Sequence, residues 1–406
     1  MNLERVAFIS FHACPMASPG QGKSGGMNVY VQQLARSLGE LGVAVDIYTR
    51  QHADAKCKVE EISAGVRVVH IPGGDPNAPM EDLFTKLPGF LESVREFRQQ
   101  HNLTYDLVHS HYWLSGWVGR SLAHDMEVPH VTTFHTLSLI KMQARAGESE
   151  PIQRQRVERE LMADADQIVA FSPHERDAMA RLYDADPDQV ELVPCGVDLA
   201  RFQPLDQEES RERLGLNGDK VLLYVGRIES LKGLDLLVHT AAQMETGQGV
   251  RVLVVGGDDG KGDATRKIRQ LTQDLEVEDL FEFVGRVDQE DMPLYYSAAD
   301  VCVVPSFYES FGLAALESMA CGTPVVASRV GGLSTVVQHG RTGYLKSWRC
   351  PEAFADSVEM IISSKKLQSS MGIAARKRAE DLGWDQVAKQ ILNIYRRLPA
   401  TVPIPS

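Results

Sequence analysis

Two carboxylates eight residues apart mark the stretch of this chain with the clearest capacity for chemistry. The segment PSFYESFGLAALESMACGTP spans residues 305–324 and contains Glu309 and Glu317. A carboxylate has only acceptor oxygens and can hold two adjacent sugar hydroxyls. Apolar residues at spacings of three and four from Leu313 onward predict a helix, whose start would offer free N–H groups to an anion. The pattern is compatible with a ligand that carries phosphate and hydroxyl groups. The carboxylates alone slightly favour a structural role, in which Glu309 interacts with the helix dipole in the first turn and Glu317 is a solvated helix residue.

Two cations in the same half of the chain suggest a partner for such a phosphate. The segment GRIESLKG, residues 226–233, places Arg227 and Lys232 after an apolar run. A nucleotide diphosphate gains negative charge as it leaves a sugar, and fixed cations nearby stabilise that charge. Two cations on a loop are also an ordinary surface feature. Their occurrence alongside Glu309 and Glu317 favours the diphosphate interpretation.

The first half of the chain carries two polar clusters that follow apolar runs. These are HSHYWLSG at 109–116 and TFHT at 133–136. The carboxyl ends of parallel strands meet at the ligand-binding edge of a sheet, so we expect both clusters at that edge. Neither a carboxylate nor a cysteine completes a metal-ligand set at a known spacing. We therefore expect no metal site at these histidines.

Alternating strand and helix patterns must position these residues. Apolar runs predict strands at 6–10, 43–49, 66–71, 107–109, 130–133, 168–171 and 190–193, and again at 221–227, 251–257, 281–285, 300–304 and 324–328. A helix is predicted from about residue 28 to 41, and a final one over 384–398. The alternation of strands and helices is interrupted near residues 195–204, where we expect the linker between two domains. The sequence therefore predicts an α/β protein with two doubly wound parallel sheets and a cleft between two similar domains.

Bulk properties narrow the class of protein. With 406 residues the chain exceeds one ordinary core, and 43% hydrophobic with 24% charged residues is typical of a globular protein. A net charge of −13 argues against nonspecific binding to nucleic acid or an anionic membrane. The sequence contains no apolar run long enough to span a bilayer and no signal peptide, and its six cysteines are scattered. We expect a cytoplasmic protein with reduced cysteines.

One further motif is misleading. GQGKSG at 20–25 matches the dinucleotide fingerprint G-x-G-x-x-G. That fingerprint needs its first glycine directly after the strand, but the predicted strand ends near Ser10, and Pro15 and Pro19 intervene. A dehydrogenase is therefore not expected. Gly25 and Gly26 at a helix start would still let a ligand approach backbone N–H groups, unless they form a plain flexible loop.

The segment around Glu309 and Glu317 resembles the donor-site signature of retaining GT-B glycosyltransferases of family 4. The similarity continues through SGGMNVY at 24–30 and HSHYWLSG at 109–116, and so covers almost the whole chain. Within the family it is greatest to the branch that transfers N-acetylglucosamine to inositol phosphate, and sucrose-phosphate synthases are more distant. The resemblance implies a GT-B fold: a Rossmann-like acceptor domain at 1–198, a Rossmann-like donor domain at 199–383, and a segment at 384–406 that crosses back to the first domain.

The resemblance also implies roles for individual residues. Arg227 and Lys232 would stabilise the leaving diphosphate, Glu309 would contact the donor sugar, and His135 would lie close to that sugar. The other implied donor contacts are His12, Gly25, Gly26, Arg286, Ser310, Phe311, Gly312, Leu313 and Glu317, the last of them on the ribose. The implied acceptor contacts are Lys23, Met27, Asn28, Tyr112, Thr136 and Arg154.

The function implied by the resemblance is a retaining glycosyl transfer. A hexose or N-acetylhexosamine would move from a nucleotide sugar, such as UDP-glucose or UDP-N-acetylglucosamine, to a small hydroxylated acceptor such as inositol phosphate. Lys23 and Met80 depart from the inositol-phosphate pattern, which has an acidic residue at the first position and a phosphate-binding lysine at the second. Another sugar phosphate, a lipid or a polysaccharide therefore stays open as the acceptor.

Further expectations concern cofactors, partners and the rival class of function. No cofactor is required for the implied transfer, and Mg²⁺ is compatible with it but not essential. Neither nucleic acid nor a transmembrane segment is expected, and a homodimer is compatible with the pattern. The rival is a nucleotide-sugar-binding module without catalysis. The joint presence of Arg227, Lys232, Glu309 and Glu317 argues against that rival.

Overall fold

The computed structural model describes residues 3–17, 25–52, 58–75, 78–216, 218–245, 249–257, 262–347 and 349–399. The chain divides into two compact units. The first consists of Met1–Val193 together with Trp384–Ser406, and the second is Pro194–Gly383. Each unit is built around its own sheet, and each is described by itself below.

The first unit contains, among its described residues, an eight-stranded sheet. Its strands are β1 (Arg5–Ile9), β2 (Ala44–Arg50), β3 (Val59–Ser63), β4 (Val66–Ile71), β5 (Leu107–His111), β6 (His130–Thr133), β7 (Gln167–Ala170) and β8 (Val190–Leu192). Their order is β3-β4-β2-β1-β5-β6-β7-β8, and every neighbouring pair is parallel except β3 with β4. The chain runs outward from β1 in both directions, which makes the gap between β1 and β5 the switch point where ligands bind in such sheets.

Helices cover the faces of this sheet. They are α1 (Gly26–Glu40), α2 (Leu87–Gln100), α3 (Trp113–Met126), α4 (Ser138–Ala144), α5 (Ile152–Asp164) and α6 (Pro173–Tyr183), with 3₁₀ turns at Met80–Lys86 and Pro187–Gln189. The second unit has its own helices among the described residues. These are α7 (Gln207–Leu214), α8 (Leu234–Ala242), α9 (Asp263–Asp274), α10 (Met292–Ala298), α11 (Leu313–Ala320), α12 (Leu333–Val336), α13 (Pro351–Ile362) and α14 (Lys365–Glu380), with 3₁₀ turns at Ser230–Lys232 and Glu278–Leu280. The last helix, α15 (Trp384–Arg397), belongs to the first unit.

The last helix is joined to the first unit by aromatic and polar contacts. The ring of Trp384 lies edge-on to that of Tyr30 in α1, with centroids 5.4 Å apart. The hydroxyl of Tyr395 lies 2.5 Å from Nδ1 of His109 in β5. Both tyrosines are fully buried. The apolar face of α15 is therefore part of the core of this unit.

The second unit contains a six-stranded parallel sheet among its described residues. Its strands are β9 (Lys220–Val225), β10 (Val250–Val255), β11 (Phe281–Gly285), β12 (Val301–Val304), β13 (Val325–Ser328) and β14 (Gly343–Lys346). Their order, β11-β10-β9-β12-β13-β14, is that of a Rossmann sheet, with its switch point between β9 and β12. Alternate residues of β9 point to two cores: Leu222 packs in the cluster with Phe354, and Leu223 in the cluster with Met319.

The predicted doubly wound α/β architecture is confirmed, with local differences. The strand β3 was not predicted, and it pairs antiparallel with β4 at the sheet edge. Its sequence VEEIS is charged and half exposed, so it lacks the apolar signal of a buried strand. The strand β5 continues to His111, so His109 and His111 lie within the strand and do not follow it. The helix α1 begins at Gly26, two residues before its predicted start.

Candidate functional site

The pair Lys232–Glu309 lies at the switch point of the second sheet. Lys232 ends the 3₁₀ turn that follows β9, and Glu309 lies in the loop that follows β12. The Lys232 ammonium is 2.7 Å from Oε2 of Glu309, and the two side chains are 24% and 11% exposed. A cation and a carboxylate are thus held together at the sheet edge where Rossmann proteins bind ligands.

Backbone contacts hold the two loops together. The amide of Phe307 donates a hydrogen bond of 2.8 Å to the carbonyl of Leu231. Gly233 has a φ of 69°, and a Cβ atom on it would lie 2.1 Å from the carbonyl oxygen of Pro305. Only glycine allows this approach, because any side chain would collide with the backbone. The separation between Lys232 and Glu309 is therefore set by backbone packing as well as by charge.

The Glu309 loop leads directly into the start of α11. The amide of Gly312 lies 3.4 Å from Oε1 of Glu309, so the carboxylate also faces the helix start. The amide of Gly332 donates to the Glu309 carbonyl at 3.0 Å, and a Cβ atom on Gly331 would lie 2.0 Å from that oxygen. Ser310 and Phe311 are mostly buried, and Leu313 is the first residue of α11. Contacts with Gly331 and Gly332 therefore fix the backbone of the loop at Glu309, and the Glu309 side chain lies next to the residue that precedes α11.

Glu317 lies in a very different environment from Glu309. It is buried within α11, and its Oε2 accepts a hydrogen bond of 2.7 Å from the hydroxyl of Tyr296. Burial raises the pKa of Glu317 to about 7, although the hydrogen bond from Tyr296 and the positive charge of Arg201 oppose the rise. As the sequence pattern predicts, Glu309 lies in the turn before α11 and Glu317 lies within the helix. One carboxylate pairs with a cation and the other with a phenol.

The two other cations predicted for the donor site, Arg227 and Arg286, are both exposed. Arg227 follows β9, and its guanidinium lies 3.0 Å from Glu229, with the arginine side chain 47% exposed. Arg286 is exposed just after β11, the edge strand of the sheet. The structure therefore brings Lys232 to Glu309, whereas Arg227 makes an exposed ion pair with a residue of its own loop.

In the first unit, Tyr112, Thr136 and Arg154 form a second cluster. Arg154 donates to both the side-chain hydroxyl and the carbonyl of Thr136, at 3.0 and 2.7 Å. Its guanidinium carbon lies 4.8 Å from the centroid of the Tyr112 ring, a cation–π distance. The ring of His12 lies 4.5 Å from the same tyrosine. Residues from the ends of β1, β5 and β6 thus meet a side chain of α5 near the switch point of the first sheet.

Two carboxylates accompany Arg154. Its Nε donates to Glu158 at 2.6 Å, and its Nη1 donates to Glu150 at 2.9 Å. Lys141 forms an ion pair with Glu150 as well. Burial alone would raise the pKa of Glu150, but Arg154 and Lys141 outweigh it and lower that pKa. These partners were not predicted, although the spacing of Glu150, Arg154 and Glu158 at four-residue intervals is the pattern of helical ion pairs.

Three histidines lie side by side in the core of the first unit. Nε2 of His135 lies 3.0 Å from Nδ1 of His111, and the rings of His111 and His109 are 4.3 Å apart. Burial, with His109 and His12 nearby, holds the pKa of His135 well below its usual range. His109 is bonded to Tyr395 and Thr133. His135 is therefore neutral near pH 7 and can exchange hydrogen bonds but cannot supply a positive charge.

The glycine segment forms the start of α1. Gly25 precedes the helix, and its amide donates to Oδ1 of Asn28 at 3.1 Å. Nδ2 of Asn28 donates to the carbonyl of Cys14 at 2.7 Å, and the side chain is buried. Met27 is half-buried, and Lys23 lies outside the described residues. The side-chain amide of Asn28 therefore anchors the start of this helix.

Met80, the other position that departs from the inositol-phosphate pattern, is the first residue of the 3₁₀ turn at 80–86.

The described helices can be compared with what a membrane-spanning helix requires. Within the ranges given above, none of them combines the length and the apolar character needed to cross a bilayer. The predicted absence of a helical span is consistent with this finding.

Comparisons with known proteins agree across the chain. Residues 24–201 match the family described as Glycosyltransferase Family 4, and residues 206–378 match Glycosyl transferases group 1. The D-inositol 3-phosphate glycosyltransferase of Frankia alni is 41% identical over 406 residues, which cover 97% of this chain and all of the relative.

Solved structures extend the comparison. The sucrose-phosphate synthase of Thermosynechococcus elongatus is 36% identical with a TM-score of 0.89, over 97% of this chain and 98% of that one. Anabaena HepE in complex with UDP and glucose is 20% identical with a TM-score of 0.78, over 97% of this chain and all of the other, and shares the fold. The two Rossmann-like sheets, the two family matches and the relatives that align with nearly the whole chain all indicate the same family. The chain therefore belongs to glycosyltransferase family 4 and is a glycosyltransferase with the GT-B fold.

Proposed function

We propose that this glycosyltransferase moves a hexose or N-acetylhexosamine from a UDP-sugar, with retention of configuration, to a small phosphorylated acceptor. The observation that carries the proposal is the Lys232–Glu309 pair, 2.7 Å apart at the switch point of the second sheet. The similar proteins support it through their names: one acts on D-inositol 3-phosphate, one is a sucrose-phosphate synthase, and one binds UDP and glucose.

The donor half of the proposal rests on charge and hydrogen-bond capacity. Lys232 would hold the diphosphate, and the free amides at the start of α11 would add donors and a partial positive charge. Arg227 is about half exposed, so its weak pairing with Glu229 would be exchanged readily for a phosphate. Glu309, already oriented by Lys232, would accept hydrogen bonds from the hydroxyl groups of the sugar, and Glu317 would accept them from those of the ribose.

The proposed reaction breaks the bond between the anomeric carbon and the diphosphate oxygen on the same face that the acceptor hydroxyl attacks. The electron pair of the broken bond stays on the diphosphate, where Lys232 and Arg227 stabilise the added charge. The acceptor proton passes to the departing phosphate oxygen, which balances the transfer. The chain then contributes orientation and electrostatic stabilisation. His135 is neutral and buried, so any part it takes in the transfer would be through a hydrogen bond and not through a positive charge.

The acceptor half of the proposal rests on Tyr112, Thr136 and Arg154. An acceptor phosphate would bind near the guanidinium and the threonine hydroxyl, which already lie 3.0 Å apart. Glu150 and Glu158 compensate the charge of Arg154 in this structure, so phosphate binding requires at least one carboxylate to give way. Glu150 is the more accessible of the two, at 13% exposure against 0%. Lys141 beside it would become available to the same phosphate.

The test is a matrix of donors and acceptors. Purified protein is incubated with UDP-glucose, UDP-N-acetylglucosamine and GDP-mannose separately, against sugar phosphates, inositol phosphates and their unphosphorylated forms. We expect nucleotide diphosphate release that depends on one UDP-sugar and one phosphorylated acceptor, with retained anomeric configuration by NMR. The same rate is expected with and without added Mg²⁺, because no step of the proposed transfer uses a metal. If the protein binds a UDP-sugar but releases no nucleotide diphosphate with any of the acceptors, the result would favour the noncatalytic binding module instead.

A further inference from the structure

A cysteine and two histidines converge at one place in the first unit, apart from the residues assigned to transfer. Cys14 lies in the loop after β1, His52 follows β2, and His70 lies near the end of β4. The strands β1, β2 and β4 are neighbours in the sheet, so their carboxyl ends bring these side chains together. One ligand atom from each of the three residues lies within 4.8 Å of the others.

The distances suit a small transition-metal ion. Sγ of Cys14 is 3.4 Å from Nε2 of His70. In a tetrahedral zinc site, Zn–S and Zn–N bonds of ordinary length separate the sulfur from each nitrogen by about 3.6 Å. The cysteine and His70 are therefore already at ligand spacing. Because all three atoms lie within 4.8 Å, small rotations of the side chains would bring His52 to the same spacing.

The surroundings of the two histidines favour ligation over a simple hydrogen bond. Nδ1 of His70 lies 3.8 Å from Oε1 of Glu60, so a carboxylate stands behind the ring nitrogen that faces away from Cys14. At 3.8 Å the two groups are not hydrogen-bonded, but an approach of about 1 Å would give the carboxylate–histidine–metal arrangement that orients the imidazole and raises its basicity. Nε2 of His52 is buried and has no hydrogen-bond partner among the described residues. A buried imidazole nitrogen without a partner is costly unless something binds it.

We propose that Cys14, His52 and His70 bind a thiolate-preferring divalent transition metal, with Zn²⁺ as the reference ion. The ion would displace the thiol proton of Cys14, which passes to water, and would bind one thiolate sulfur and two neutral imidazole nitrogens. Softness of the thiolate selects zinc-like ions over Mg²⁺ and Ca²⁺. The three ligands leave a fourth tetrahedral position for water.

The site is connected to the start of α1 by one hydrogen bond. The carbonyl of Cys14 accepts from Nδ2 of Asn28, and the same amide group holds Gly25 through its oxygen. An ion on the Cys14 thiolate would tie the loop after β1 to β2 and β4, and so restrain the residue that anchors this helix. The site therefore acts as a structural clamp on the first unit, and it is independent of whether the proposed donor and acceptor are correct.

The test uses the full chain, freed of metal with chelator and kept reduced, and titrated with Co²⁺ as a spectroscopic substitute for Zn²⁺. We expect one equivalent of Co²⁺ to produce the thiolate-to-cobalt charge-transfer absorption and tetrahedral ligand-field bands, both abolished by excess Zn²⁺. Cys14→Ser should lose the charge-transfer absorption. His52→Gln and His70→Gln should each weaken Co²⁺ binding at least about tenfold, and Glu60→Gln by about tenfold.

Controls separate this site from adventitious binding. Cys350→Ser and His124→Gln remove a half-exposed cysteine and an exposed histidine elsewhere, and both should leave the titration unchanged. Cys57→Ser should do the same, although Cys57 lies outside the described residues. Zn²⁺ should raise the Tm of the parent chain and leave that of Cys14→Ser unchanged. A folded parent chain without thiolate absorption would overturn the proposal, as would absorption that persists in Cys14→Ser or vanishes in Cys57→Ser. The Cys14 contact with His70 would then be a simple thiol–imidazole hydrogen bond.

Discussion

Replacing Lys232 with alanine is the sharpest test of the proposed donor site. The ammonium lies 2.7 Å from Glu309 at the switch point of the second sheet, and the side chain is 24% exposed. A unit charge about 4 Å from a phosphate oxygen contributes about 4 kcal/mol at an effective dielectric constant of about 20. Glu309 neutralises part of this charge, and only the charge gained in the transition state counts toward the rate. A loss of about 2–3 kcal/mol is therefore expected, which is about 30- to 150-fold in kcat.

The assay is nucleotide diphosphate release with the donor and acceptor identified in the substrate matrix, measured over a full range of donor concentrations. Because the interaction strengthens in the transition state, kcat and kcat/KM should fall together. Lys232→Arg should keep most of the activity, since it retains the charge. The fold should survive, because a partly exposed ion pair contributes only about 1 kcal/mol or less.

Lys220→Ala is the matched control. Lys220 begins the same strand, β9, at its exposed amino end, whereas Lys232 follows the carboxyl end. The control should retain the activity of the parent chain. Turnover of Lys232→Ala within a few-fold of the parent would refute the assignment of the diphosphate to this cation.

Three further predictions follow from buried or crowded groups. Because the pKa of Glu317 is raised from 4.5 to about 7, the folded chain binds more protons than the unfolded chain between those values, so its stability falls as pH rises through that window. Glu317→Gln removes this penalty, and its Tm relative to the parent should rise between pH 4.5 and 7 and then level off; a difference independent of pH would contradict the reasoning. Glu150→Gln leaves Arg154 and Lys141 with net positive charge, so KM should fall several-fold for a phosphorylated acceptor but not for its unphosphorylated form, and equal changes for both would contradict phosphate binding there. Gly233→Ala should lower the free energy of unfolding more than Gly215→Ala, because both have a φ of 69° but only the first meets a backbone oxygen, at 2.1 Å; equal losses in chemical denaturation would contradict this.

The sequence was most informative where buried strands produce continuous apolar runs. Runs such as VLLYV and VCVV predict strands by themselves, and right-handed crossovers then limit how those strands can be ordered. The residues at the carboxyl ends of β9 and β12 could therefore be expected at one edge of the sheet. The edge strand β3 and the short β14 gave no comparable signal because half or more of their residues are not fully buried.

Contacts between distant residues were harder to predict. The bond from Tyr296 to Glu317 joins α10 to α11, and nothing in the local pattern of either helix indicates it. The grouping of Cys14, His52 and His70 depends on which strands are neighbours, which the order of residues does not state. The exception is the series Glu150, Arg154 and Glu158, whose four-residue spacing is the pattern of helical ion pairs, even though Glu150 lies two residues before the start of α5.

The position of α15 has a consequence for how the chain is made. The helix follows the whole second unit along the chain, yet its Tyr395 is hydrogen-bonded to His109 in β5, and its Trp384 packs against Tyr30 in α1. The first unit therefore cannot complete its core until the second unit has been synthesised, whereas the second unit, whose residues are contiguous, can fold before α15 is available. During that interval the apolar surface that α15 will cover lies exposed on the nascent chain. A chain truncated after Gly383 should therefore contain a folded second unit and a first unit whose core is incomplete.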